Sequence, residues 1–138
     1  FLGNKLKLKR RNPRHQSAAL FSHFRGVERR PGEDAGNITI ERFEHGWAWV
    51  IPLRDDVMSI GAVCSPAYLK QRKGDGEAFL LQTLQGIPTL WPRMAGAERI
   101  APVHATGNYS YTSTRMCGPG WTTVGDAYVF IDPIFSSG

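Results

Sequence analysis

The sequence predicts an α+β fold, an antiparallel sheet with covering helices. Three observations predict it. Residues 38–44, 46–53 and 57–64 are successive runs rich in β-branched and aromatic residues, separated only by short turns. Ser65-Pro66 then reads as a helix start, with Ser placed to cap and Pro at the first helical position. An apolar run at residues 121–124 supplies a further strand near the C-terminus. The 138 residues are 41% hydrophobic and 11% aromatic, enough to build a core and too apolar for wholesale disorder. No apolar run approaches the ~20 residues that a membrane-crossing helix needs, so no membrane partner is expected.

Taken in order, the first fifteen residues are polar and basic, contain Pro13 and read as a loop or connector. They hold Lys5, Lys7, Lys9, Arg10, Arg11 and Arg14, much of the net charge of +5. A solvated face is the ordinary meaning of such a run. An anion or nucleic-acid patch is the alternative, but no nucleic-acid-binding signature accompanies it and no nucleic-acid partner is expected. Residues 18–27, with Phe21 and Phe24, read as a strand or a short helix. Pro31, Gly32, Asp34 and Gly36 make residues 28–37 a loop. Glu44-His45-Gly46 and Arg54-Asp55-Asp56 turn the next three strands into a meander.

Residues 67–72 continue the helix opened by Ser65-Pro66, and Gly74-Asp75-Gly76 breaks it. A second helix over 77–85 puts Phe79, Leu80 and Leu84 on one side and closes at Gly86. Pro88 and Pro92 keep any helix in 87–97 short or kinked. Residues 103–114 read as a strand with Tyr109 and Tyr111 on one face. Gly118-Pro119-Gly120 turns the chain into the strand 121–124, which ends at Gly125-Asp126. Cys64 and Cys117 stand far apart, and neither has a Cys or His at metal-ligand spacing. They read as free thiols of a reducing, cytoplasmic compartment, with Cys64 a buried small hydrophobe. The scattered His15, His23, His45 and His104 give no metal site.

Two segments carry the chemistry. In Trp47-Ala48-Trp49-Val50-Ile51-Pro52, strand alternation puts Trp47, Trp49 and Ile51 on one face and Ala48 and Val50 on the other, with Pro52 ending the pairing. For an arbitrary chain, two such Trp are most often core. Near the C-terminus, Gly125-Asp126 follows a strand and leads into Phe130, Pro133, Ser136, Ser137 and Gly138. A carboxylate there can accept hydrogen bonds from the hydroxyls of a cofactor chain. Gly125 permits close backbone approach, and free backbone N–H groups beyond it suit an anion.

Together W-x-W-x-I-P and G-D-x-x-x-F-x-x-P-x-x-S-x-G resemble the flavin-dependent halogenases, within the FAD-dependent monooxygenase superfamily. His15-Gln16-Ser17-Ala18-Ala19, Gly36-Asn37-Ile38-Thr39-Ile40, Phe43-Glu44-His45-Gly46-Trp47, Ser59-Ile60-Gly61-Ala62-Val63 and Tyr109-Ser110-Tyr111 are also similar to that family, so the resemblance covers nearly the whole chain. It implies that residues 1–104 are part of a substrate-side sheet with helices, and that 105–138 return to the FAD domain. It also implies that Trp47, Trp49, Ile51 and Pro52 wall the substrate off from the flavin, so that halide rather than substrate meets the oxidised intermediate. Gly125, Asp126, Phe130 and Pro133 would bind FAD, and Ser136, Ser137 and Gly138 would bind chloride or bromide.

The implied activity is halogenation of a small aromatic substrate with reduced FAD from a separate flavin reductase, oxygen and halide. Tryptophan halogenases carry Glu just before the Ser of the second motif. Phe135 stands there in this chain and cannot accept a proton or orient an indole N–H. The sequence therefore resembles the phenol and pyrrole halogenases, whose substrates are often tethered to an acyl or peptidyl carrier protein. A basic surface would suit an acidic carrier. The dinucleotide fingerprint and the family's active-site lysine are expected upstream, since the chain begins at Phe1 and ends inside its motif. The fragment alone is expected to be inactive. An FAD monooxygenase or related oxidoreductase of the same superfamily is the first alternative, and an inactive truncated module the second.

Overall fold

The computed structural model describes residues 2–13, 15–72, 74–107 and 109–134. In chain order its elements are α1 (Leu2–Lys5), β1 (Lys9–Arg11), β2 (Ala18–Arg25), β3 (Thr39–Phe43), β4 (Gly46–Pro52), β5 (Val57–Cys64), α2 (Pro66–Leu69), α3 (Gly76–Gln85), β6 (Glu98–Arg99), β7 (His104–Gly107), β8 (Tyr111–Ser113), β9 (Cys117–Gly118), β10 (Trp121–Thr122) and β11 (Val129–Phe130). Three short 3-10 turns cover Gly32–Gly36, Trp91–Met94 and Gly125–Ala127. The chain divides into two compact units, residues 18–106 and residues 1–17 with 107–138.

In the larger unit the sheet order is β3-β4-β5-β2-β6, and β7 pairs with β2. The meander expected from the three β-type runs is present. Trp49 pairs with Gly61, and Gly46 with Cys64. The turn between β4 and β5 bends through Asp55 and Asp56, both left-handed at φ 56° and 57°. That conformation fits the strand twist, and Asp tolerates it better than most residues. Of the two readings of residues 18–27, the strand is correct: β2 pairs along its whole length with β5, from Ala18–Cys64 to Arg25–Val57.

Helices cover one face of this sheet. Ser65 caps α2, its Oγ accepting from Tyr68 N–H, and Pro66 takes the first helical position. Asp75 caps α3, accepting from the N–H groups of Glu77 at 2.9 Å and Ala78 at 3.1 Å. Phe79, Leu80 and Leu84 of α3, with Ile87, Leu90 and Met94, pack on Leu20, Phe24, Ala48, Val50, Met58, Ile60, Ala62 and Cys64. Helix α2 is shorter than expected, ending at Leu69. Gly86 closes α3 at φ −72°, without the left-handed turn that glycine often supplies there.

The remaining segments differ from expectation in three places. Residues 1–15 are not simply a connector: β1 pairs antiparallel with β8, Lys9 opposite Ser113 and Arg11 opposite Tyr111. A basic strand can sit at a sheet edge because its long side chains reach water from there. The strand expected over 103–114 is two strands, with Tyr109 outside both. The strand expected over 121–124 stops at Thr122; Thr123 turns inward to bond the Met116 carbonyl at 3.0 Å, and Val124 is 67% exposed.

Candidate functional site

The larger unit carries the first group of site residues. Alternation along β4 sends Ala48 and Val50 into the helix-covered core. Trp47, Trp49 and Ile51 therefore lie on the opposite face, as the pattern requires. Trp47 is 9% exposed, whereas Trp49, Ile51 and Pro52 are half-buried. Pro52 is the last residue of β4 and still pairs with Met58.

On that second face the aromatic side chains form a row across three strands. The Trp47 and Trp49 rings lie 6.0 Å apart, Trp49 and Phe21 5.8 Å, and Phe21 and His104 5.6 Å. Offset and tilted pairs at these separations are attractive beyond their buried area. The Trp49 indole N–H donates to Ser59 Oγ at 3.2 Å. One face of the sheet thus bears this aromatic row, and the helix-covered core packs on the other. Sequence reading singled out Trp47 and Trp49. It gave no role to Phe21, Ser59 or Gly61, although a glycine inside a strand signals close approach of a neighbour.

The smaller unit carries the second group. Gly125 is left-handed at φ 52°, a conformation that L side chains adopt only with strain. Asp126 follows it in a 3-10 turn, its carboxylate exposed. The turn is tied down from β8, where the Tyr111 hydroxyl donates to the Asp126 carbonyl. Lys9 Nζ sits 3.7 Å above the Tyr111 ring. Beyond the turn, β11 pairs Phe130 with Tyr111, and the Phe130 ring meets Tyr109 edge-on at 5.9 Å. Ser110 Oγ donates to the Phe130 carbonyl at 3.1 Å. Pro133 is half-buried, and Ile134 N–H donates to Asp132 Oδ1 at 3.0 Å. Phe135, Ser136, Ser137 and Gly138 lie outside the described residues.

An exposed carboxylate beside a glycine in this conformation, on a turn fixed from the neighbouring strand, fits a hydroxyl-bearing cofactor chain such as that of FAD. Among the described residues no group of three or more His, Cys, Asp or Glu is placed to hold a metal ion. Nor is any described helix long and apolar enough to cross a membrane. Burial pushes the Cys64 thiol up to about 12, so it stays neutral, while Cys117 is exposed.

The fold is shared with flavin-dependent halogenases of solved structure. The tryptophan halogenase family profile matches residues 38–138, and the chain belongs to that family. It is 35% identical over 125 residues to the 1H-pyrrole-2-carbonyl-[peptidyl-carrier protein] brominase of Pseudoalteromonas luteoviolacea, covering 89% of this chain and 31% of the brominase. It is 32% identical over 126 residues to the tryptophan 2-halogenase of Chondromyces crocatus, covering 89% of this chain and 24% of that enzyme. Among solved structures, the myxobacterial chondrochloren halogenase CndH, a variant of FAD-dependent halogenases, superposes with a TM-score of 0.86 at 35% identity, over 94% of this chain and 31% of CndH. The chain thus spans about a third or less of the length of these relatives.

Proposed function

We propose that the whole protein halogenates a phenol or pyrrole, using reduced FAD, oxygen and chloride or bromide. The observation that carries this reading is the aromatic row of Trp47, Trp49 and Phe21 on the face of the sheet turned away from its core. When bound, reduced FAD with oxygen supplies the oxidising equivalents. Trp47, Trp49, Ile51 and Pro52 act by exclusion, keeping the aromatic substrate off the flavin so that halide is oxidised in its place. Asp126 accepts from hydroxyls of the FAD chain, and Gly125 lets the backbone come close. Phe130 and Pro133 complete the FAD-binding set, and Ser136, Ser137 and Gly138 bind the halide.

Relatives of similar identity are named for a carrier-bound pyrrole and for tryptophan, so overall likeness does not choose the substrate. Phe135 supports a phenol or pyrrole, because it stands where the tryptophan halogenases carry Glu. The pyrrole relative supports a substrate carried on a peptidyl or acyl carrier protein. The basic residues of β1 offer such an acidic partner a complementary surface. A separate flavin reductase supplies the reduced FAD.

The test is halide-dependent turnover of the intact enzyme on phenols and on free and carrier-bound pyrroles. Halogenated product that requires chloride or bromide is expected. An oxygenated product formed equally without halide would assign the protein to the FAD monooxygenases instead.

A further inference from the structure

We infer that Ser59 and Gly61 are positioning residues that set the pose of Trp49. Both belong to β5, on the sheet face that also bears Trp49 and Phe21. Gly61 pairs with Trp49 on one side and with Phe21 on the other, so the three stand in one row across the sheet. A Cβ at Gly61 would lie 2.4 Å from Trp49 Cζ2 and 2.5 Å from Phe21 Cβ, closer than real Cβ atoms come. The indole therefore lies across the bare glycine backbone and closes against Phe21, with 5.8 Å between ring centroids.

Two residues back along β5, Ser59 Oγ accepts the indole N–H at 3.2 Å. Residues two apart on a strand share a face, so glycine and serine act on the same ring from the same strand. Gly61 leaves room for the Cζ2–Cη2 edge of the ring, and Ser59 holds its indole N–H. A glycine inside a central strand weakens the strand, and here the overlying aromatic pair covers the exposed backbone.

This inference rests on the reading of Trp49 as part of the substrate wall, and its test keeps the two apart. In the full-length holoenzyme, Ser59→Ala and Gly61→Ala are compared with Trp49→Phe by near-ultraviolet circular dichroism, FAD content, and halogenated product per reduced FAD consumed. Ser59→Ala removes only the acceptor and decides the matter if Gly61→Ala does not fold. It is expected to keep its FAD and to lose part of the aromatic signal that Trp49→Phe loses. Its product yield per flavin is expected to fall about fivefold, the loss that one neutral hydrogen bond accounts for. An aromatic signal and a product yield both unchanged in Ser59→Ala would overturn the inference while leaving the wall reading to Trp49→Phe. A changed signal with an unchanged yield in all three variants would support the positioning and overturn the wall.

Discussion

The Tyr111 hydroxyl bonds the backbone carbonyl of Asp126, tying the glycine–aspartate turn to strand β8. The bond leaves the Asp126 carboxylate exposed and available to a ligand. It also joins residues from two separate stretches that the family resemblance singled out, although nothing in their spacing shows that they touch.

Two substitutions follow from that bond. Asp126→Ala removes the carboxylate itself. Hydrogen bonds to a charged group contribute about 1.5–3 kcal/mol, so FAD affinity of the intact enzyme should fall tenfold or more. Tyr111→Phe leaves the carboxylate and loosens its turn, and should weaken FAD by a smaller factor. Flavin titration of the apoenzyme checks both, and unchanged affinity in Asp126→Ala would remove its assigned role.

Trp47→Ala and Trp49→Ala should lower halide-dependent product formation more than FAD content. Their side chains lie on the face away from the helix-packed core, so the core built on Ala48 and Val50 is left intact. Product yield set against flavin absorbance of the purified variants is the measurement. Joint loss of FAD and solubility would mark both Trp as structural.

Asp75→Ala leaves the first N–H groups of α3 without their side-chain acceptor. Loss of such a cap costs about 1 kcal/mol, which urea unfolding should register as a lower midpoint with an unchanged slope.

The two cysteines should separate cleanly. At pH 8, iodoacetamide should label Cys117 in the native protein and Cys64 only after denaturation, as read by peptide mass spectrometry. Burial raises the Cys64 pKa from 9.0 to about 12 in the folded state. The unfolded thiol therefore loses its proton first. The stability linked to this group is fully present below about pH 9 and declines as the pH rises from there towards 12. Cys64→Ala should flatten that decline.

The meander, the Ser65-Pro66 helix start and the face shared by Trp47 and Trp49 were legible because each depends on residues close in sequence. Strand alternation, a cap and a short turn all act over a few positions. The two motifs likewise carried the family resemblance by local spacing alone. What the chain could not show by itself was which separated segments meet. The basic residues Lys9–Arg11 read as connector because charge runs are usually solvated, and only pairing with β8 makes them a strand. Likewise the N–H and hydroxyl of Thr123 both bond the Met116 carbonyl, a partner set by the hairpin. Gly61 has no role legible in the sequence, and becomes the floor under Trp49 and Phe21 once β4, β5 and β2 pair in register. Register fixes contacts between residues far apart in the chain, and it is set by burial of the opposite face, so only the tertiary structure decides it.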